Sequence, residues 1–483
     1  MSKTFSTQKL CNSSLTLYAF HLRDNLSEGL RQVSSQASRL WENLVWLGST
    51  LKIPELQSLR QKLICYQAGQ YQPTAEDQLA LGQQSLLPEE EDRINFQLIA
   101  QADSASLELK GLLCPFRLHD AYAIDLTLFS PTPITLGQLN QLNPQGLLLP
   151  PHIQASLGQT LLFYAEVDAL EKDDRSIADA CLAQLLQNQV MPEFLAEGKL
   201  LGSSIFEYGS LVRDPAQQYH ILVWLNHNQL APEVDEVSER LLYLLNSRHK
   251  ILYAYDQSRW CDRQAKQLYS DLELNIVQRF NQIARSPDHL QQFQTLLRNQ
   301  LPQTAFQYAQ YLRDLSDHET TINTNLQNYR QQLAKLARLP GCDLTFLQDF
   351  LDLAENKYLK QIQVNQSYLT PGQALFQQLT ETIRGLAELE QTESDRCLER
   401  TVQVLGVGLA TGTIVGAGYS YTEKPFKPPF STNTIHPFVA YLLWSFTAAF
   451  IAGVIAYWLT QLNLLVWWSN LRNRGQDEKT FEE

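Results

Sequence analysis

The chain has 483 residues, 44% of them hydrophobic and 18% charged, with 38 Lys+Arg against 51 Asp+Glu and a formal net charge of −13. Beyond Arg400 the bases Lys424, Lys427, Arg472, Arg474 and Lys479 balance the acids Glu423, Asp477, Glu478, Glu482 and Glu483, so the whole excess sits in residues 1–400. An acidic region of that size lacks the clustered Lys and Arg that phosphate-backbone binding needs, which argues against nucleic acid as a partner.

Seven cysteines are scattered without a Cys-x-x-Cys pair, a pattern that fits reduced thiols in a cytoplasm rather than zinc or thioredoxin chemistry. The opening "MSKTFSTQKLCNSSLTLYAF" shows no basic head followed by an apolar core, so no secretory signal is expected.

Residues 1–256 read as an α/β domain. Strands are expected at "LTLYAFHLR" (15–23), "LELKGLLCPFRL" (107–118), "YAIDLTLFS" (122–130), "QTLLFYAEV" (159–167), "YHILVWLNHN" (219–228) and "HKILYAYD" (249–256), all rich in aromatic and branched residues. Helical patterns lie at about 33–66, 175–190 and 233–246. The segment "SSIFEYGS" (203–210) gathers polar groups beside Gly202 and Gly209 and reads as a turn, with Glu207 and Tyr208 its candidate ligand residues. His220, His227 and His249 read as ordinary strand-flanking polar groups, and His119-Asp120 and Arg248-His249-Lys250 as polar caps and loop charge. No Walker loop, His-Glu-x-x-His, Gly-x-Ser-x-Gly or metal-ligand cluster occurs, so no cofactor, metal or enzymatic activity is expected.

Residues 257–400 read as a helical bundle or stalk. From Gln303 to Arg338, Tyr308, Leu312, Leu315, Glu319, Ile322, Leu326, Tyr329, Leu333 and Leu336 alternate by four and three, a heptad seam broken once by Glu319. Leu339-Pro340-Gly341 ends it. A second helix is expected over 344–369, with Leu347, Leu351, Ala354, Tyr358, Ile362, Asn365 and Tyr368 on one stripe. Thr370-Pro371-Gly372-Gln373 then reads as the capped start of a third.

No Asp, Glu, Lys or Arg occurs from Thr401 to Thr422, or from Pro428 to Leu471. Each window can hold about 20 residues of helix, enough to span a hydrocarbon core. The second has Tyr441 and Trp444 near one end and Tyr457, Trp458, Trp467 and Trp468 near the other, the pattern of interfacial aromatic belts. Pro425, Pro428 and Pro429 interrupt any helix between the windows. The expectation is a tight membrane hairpin: a first span at 401–420, an outer loop at 421–436, a second span at 437–468 and a tail at 469–483. An acidic domain without a signal stays where it is made, which places both termini in the cytoplasm and the hairpin in the plasma (inner) membrane.

In the first window, "VLGVGLATGTIVGAG" approaches a dinucleotide-binding glycine loop, but a helical pattern precedes it where that loop needs a strand. The membrane reading puts Gly408, Gly412 and Gly416 on one small-residue face, with Thr411 and Thr413 offering hydroxyls for helix packing. That face packs either on the second span or on copies of itself, which makes the bilayer and a homo-oligomer the expected partners, beside an unidentified cytoplasmic one.

The order of parts resembles the CorA-type magnesium channel architecture: an acidic N-terminal domain, long helices, one helix entering the membrane, a short outer loop, a second span and a short charged tail. The family's Gly-Met-Asn after the first span is absent, since the only methionines are Met1 and Met191, and "GAGYSYTEKPF" stands in its place. No pore residue of the family carries over; a channel with CorA-like assembly would have fivefold symmetry, with polar groups such as Thr411, Thr413 and Ser420 lining its axis. Segments such as "IFEYGS", "HILVWLNHN" and "RHKILYAY" are also similar to bacterial conflict-system membrane proteins.

The sequence thus reads as an α+β protein of three parts: a cytoplasmic sensor or interaction domain, a helical stalk, and an oligomerising hairpin that forms a pore or perturbs the membrane. The alternatives are a CorA-like cation channel, a membrane-anchored scaffold, and an enzyme with an unrecognised site in residues 1–256.

Overall fold

The computed structural model describes residues 9–24, 33–73, 83–88, 91–101, 106–167, 173–187, 189–210, 212–227, 234–283 and 300–389. The fold is α+β, with an N-terminal mixed sheet followed by long helices. The chain divides into two compact units, residues 1–266 with 311–367 and residues 267–310 with 368–483.

In the first unit the main strands are β1 (Lys9–Leu22), β2 (Ile94–Gln101), β3 (Ser106–Leu118), β4 (Ala121–Phe129), β5 (Gly158–Glu166), β6 (Glu193–Leu200), β7 (Ser203–Gly209) and β8 (His220–Asn226). Their order across the sheet is β6-β7-β8-β5-β1-β4-β3. The far side of β3 is shared by β2 and the short strand Gln83–Ser85. Only β5 and β8 run parallel, in the register Leu161↔Ile221. The crossover between them carries helix α2 (Asp174–Leu186) and the β6–β7 hairpin.

Alternation along the strands divides the sheet into two covered faces, which explains their nearly unbroken apolar sequences. On one face Leu15, Leu17, Tyr122, Ile124, Phe163, Tyr208 and Val223 join a single core with α1 (Arg39–Leu51) and α2, including the fully buried Trp41. The other face carries Tyr18, Phe20, Thr160, Glu207 and His220, and is met by α3 (Val234–Ile283). There Phe20 lies against the His249 ring, with centroids 5.4 Å apart.

Helix α3 replaces the strand expected at 249–256. Every residue from Leu244 to Ile251 is buried. That run has lost its 3.6-residue polarity period, and in 249–256 Ile251, Leu252, Tyr253 and Tyr255 make a short aromatic-rich piece that imitates a strand. Segment 203–210 is likewise strand β7, where a turn is expected; the turn is Leu201-Gly202, both at positive φ. The helical pattern at 33–66 resolves into α1 and two single turns, Pro54–Gln57 and Leu59–Lys62.

Helix α4 (Leu301–Leu336) carries the heptad seam. Leu315, Ile322, Leu326, Tyr329, Leu333 and Leu336 are buried, while Leu312 and Glu319 are half-buried. The Tyr329 hydroxyl donates to the Leu347 carbonyl of α5 (Thr345–Leu353) at 3.1 Å, and Trp260 of α3 meets Tyr311 edge-on. A π-helical turn, Ala354–Leu359, follows; its Tyr358 stacks on Tyr255 of α3 with centroids 4.2 Å apart. The loop between α4 and α5 closes the sheet edge: Lys199 of β6 and Asp343 exchange both backbone hydrogen bonds at 2.8 Å, and Gly202 N–H donates to the Gly341 carbonyl at 2.9 Å.

Helix α6 (Lys360–Leu389) runs straight through Pro371, where a new helix start is expected. In the second unit the Tyr308 hydroxyl donates to the Leu369 carbonyl at 2.6 Å and the Tyr308 ring lies 4.8 Å from that of Phe376. Both contacts flank Pro371, which has no N–H to give to the Ser367 carbonyl. Tyr368, expected on the buried stripe, is 63% exposed.

Among the described residues no helix is long and apolar enough to cross a membrane. Both charge-free windows, and with them Gly408, Thr411, Gly412, Thr413, Gly416 and Ser420, lie outside the described residues.

Candidate functional site

Five polar side chains meet between α3 and the sheet. Adjacent strands β5, β8 and β7 place Thr160, His220 and Glu207 on the same face, and α3 supplies Arg248 and His249. Thr160 is 0% exposed and Arg248, the most accessible of the five, 8%. Glu207 Oε1 lies 2.9 Å from His220 Nε2 and 3.1 Å from Arg248 Nη2. Thr160 Oγ1 lies 2.7 Å from His220 Nδ1 and 2.9 Å from His249 Nε2. The Arg248 guanidinium also sits 4.2 Å from the Phe350 ring centre, a cation–π contact with α5.

Burial pushes the Glu207 carboxyl up, but Arg248 and His220 together pull it below its ordinary value, so it is ionised. Burial and the neighbouring Arg248 drive His220 down to about 4 against the pull of Glu207. Burial, His220 and Arg248 hold His249 well below its ordinary value. Both histidines are therefore neutral at pH 7, and the charge of the cluster is the Arg248–Glu207 pair.

That assignment orders every proton. An ionised carboxylate only accepts, so His220 Nε2–H donates to Glu207. A neutral His220 then presents a lone pair at Nδ1, to which the Thr160 hydroxyl donates. Thr160 in turn accepts from His249 Nε2–H. His249 Nδ1 is left a bare acceptor, and it has no hydrogen-bond partner. It faces Gly158, whose φ is +119°; a Cβ there would lie 2.6 Å from this nitrogen and 3.0 Å from the Pro215 carbonyl.

Thr160, His220 and Glu207 follow the connectivity of a nucleophile–base–acid triad. Thr160 is enclosed, so the arrangement can hold charge and move protons but cannot receive a substrate at the hydroxyl. Chemically it is a buried charge pair extended by a hydrogen-bonded relay.

Of the residues expected at a ligand turn, Glu207 enters this cluster. Tyr208 points to the opposite face, where its hydroxyl donates to Asp179 at 2.7 Å and burial holds its pKa up. The structure separates the two. Thr160, His220, Arg248 and His249 are the members that sequence reading passes over. Their signal is the polar run Asn-Ser-Arg-His-Lys (246–250) set between apolar stretches on a helix.

The chain matches no family model and no curated protein.

A second concave region, a cleft of about 530 Å³, is lined by Asp173, Asp174, Glu197, Lys199, Ser204 and Asp343 among others. Two of its acids are engaged: Asp174 binds His227 at 2.9 Å and Ser204 at 2.7 Å, and Asp343 binds Thr345 at 2.5 Å. Among the described residues no group of three or more His, Cys, Asp or Glu is disposed to hold a metal ion. The six described cysteines are free thiols.

Asp125, on the same sheet face as Thr160, is pushed up to about 6 by burial, against the hydroxyl of Thr127 that donates to it at 3.0 Å. A carboxyl with a folded pKa above its unfolded value of 3.8 contributes stability below that value and loses it as pH rises through 6. Asp125→Asn keeps the acceptor and removes the charge. It is expected to raise stability at pH 7.5 by up to about 3 kcal/mol, with no gain at pH 3.5, as measured by denaturant titration at both values.

Proposed function

We propose that the chain is a non-enzymatic, two-pass membrane effector in which a large cytoplasmic sensor domain is coupled through long helices to an oligomerising hairpin. The observation that carries this reading is the pair of charge-free windows at 401–422 and 428–471, in a chain that is 18% charged. The described residues support it indirectly: α3 and α4 are long, and the first of them is fixed to the sheet by a charge pair, as a helix that transmits displacement needs to be.

Two measurements test the reading. The full-length protein is expected to stay with membranes through alkaline carbonate extraction; release into the supernatant would remove the hairpin. Gly412→Leu is expected to abolish the oligomer trapped by cross-linking in membranes, because a leucine on a Gly-xxx-Gly face separates the helix backbones. An unchanged ladder would eliminate that face as the oligomer contact.

The polar groups Thr411, Thr413 and Ser420 favour a second reading, a CorA-like cation channel with these groups along its axis. It predicts ion flux in proteoliposomes. If flux is absent and an unrelated hairpin replaces 401–471 without loss of function, the hairpin is only an anchor for a scaffold.

A further inference from the structure

The buried cluster has a direction. One end is a charge pair that ties α3 to the sheet, and the other is a bare nitrogen with no partner. Arg248 belongs to α3 and Glu207 to β7, so their contact is a fastening between helix and sheet. His249 Nδ1 is set against Gly158 and the carbonyl of Pro215, itself buried at the start of the turn Pro215–Gln217. The unpartnered nitrogen is enclosed, on a ring 1% exposed, and the charge pair at the other end of the relay is the more accessible, Arg248 being 8% exposed.

We propose that His249, Thr160, His220 and Glu207 form a proton-operated latch, in which a proton taken up at His249 Nδ1 is delivered to His220 and loosens Arg248, and with it α3, from the sheet. The transfer balances without any other reactant. As Nδ1 of His249 gains a proton, its Nε2 proton passes to Thr160 Oγ1 and the original Thr160 proton passes to His220 Nδ1. His249 ends neutral in the opposite tautomer, the Thr160 hydroxyl has reversed its donation, and His220 is an imidazolium. The new cation and Arg248 then share the one carboxylate oxygen, Glu207 Oε1, that both already contact. Two buried cations on one anion leave an uncompensated charge, which is far more costly than the original pair.

The other groups around the relay do not absorb the proton. Tyr329 of α4 and Tyr358 of the π-turn face Arg248, and burial raises both phenols, so they stay protonated. On α3 itself Lys250 is paired with Asp120, the acid of the β3–β4 turn. The Phe350 ring, 4.2 Å from the guanidinium carbon, is a contact that Arg248 makes alongside Glu207. The latch lies wholly within the first unit and does not depend on the membrane reading.

The direction in pH follows from linkage. An opened histidine titrates near 6.5, whereas closed His220 titrates near 4, so the open form binds more protons between these values and acid favours it. From pH 7.5 to pH 5.0 the opening equilibrium is expected to rise about 25-fold from His220 alone.

Hydrogen–deuterium exchange on the full-length protein in detergent, corrected for intrinsic rates, reads this directly. Peptides covering 244–252 are expected to gain exchange on acidification while those covering α1 do not. The double variant His220→Gln/His249→Gln, which keeps donors and acceptors but cannot titrate, is expected to lose that gain. Equal protection of 244–252 at both pH values overturns the latch, as does a gain that persists in the double variant. Should the variant fail to fold, nitrogen NMR of the histidine rings in the wild type decides. Both rings must be Nε2–H tautomers at pH 7.5, and Nδ1–H on His249 there refutes the relay.

Discussion

Replacing Glu207 with alanine is expected to destabilise the sheet-bearing unit by about 3–5 kcal/mol, because it leaves the Arg248 guanidinium buried without a counter-charge. Glu207 and Arg248 are 4% and 8% exposed, so water cannot take over the role of the lost partner. Replacing both together, Glu207→Leu with Arg248→Met, is expected to recover most of the loss, since the desolvation cost goes with the charges. Denaturant titration of the full-length protein, followed by tryptophan fluorescence, measures both. A loss below about 1 kcal/mol for the single variant would mean that Arg248 has another buried anion. A double variant as unstable as the single one would mean that side-chain shape, rather than charge, holds α3 in place.

Gly341→Ala is the second substitution with a large expected effect. Gly341 has φ +69°, and a Cβ built on it would lie 2.6 Å from the Gly202 nitrogen and 2.9 Å from its α-carbon. Both neighbours are main chain, so neither can rotate away. Backbone strain and overlap together are expected to cost about 3 kcal/mol and to break the Gly202 N–H to Gly341 carbonyl bond. Hydrogen exchange should rise at 199–202 and 341–345 while the protection of α1 is kept. Gly137→Ala is the control, with nothing within 4 Å of its Cβ position, and should change stability by less than about 0.5 kcal/mol. If both variants behave alike, the α4–α5 loop is not fastened to the sheet.

Much of this architecture is readable from residues, and where reading fails the cause is physical. The central strands announce themselves because both faces are covered and their sequences are apolar throughout. The α4 seam is legible because that helix buries one stripe, so Leu315, Ile322 and Leu326 keep their heptad spacing. Helix α3 is legible over 233–246 but misread at 248–256, where Arg248, His249 and Lys250 are buried charged or polar residues that look like a loop and the aromatic-rich piece after them looks like a strand. Segment 203–210 is misjudged for a related reason: Ser203, Ser204 and Glu207 are polar on a strand whose partners, Asn226, Asp174 and His220, are far away in sequence. Pro371 misleads in the opposite sense: local propensity would end a helix there, yet the helix continues through it with Tyr308 packed beside it on Leu369 and Phe376. The site follows the same logic. Glu207 is visible as an unusual residue, but its partners come from α3 and β8, and no spacing in the sequence brings them together.

The outer edge of β6 has a consequence for how copies of the chain can meet. If two such edges paired antiparallel about Leu195, Glu193 of each copy would stand directly opposite Glu197 of the other. Like charges at facing positions oppose the pairing. Pro192 withholds an amide just before the strand, and Asp343 already occupies the backbone of Lys199. At this edge, in that register, sheets from separate molecules are therefore discouraged from joining into a continuous ribbon.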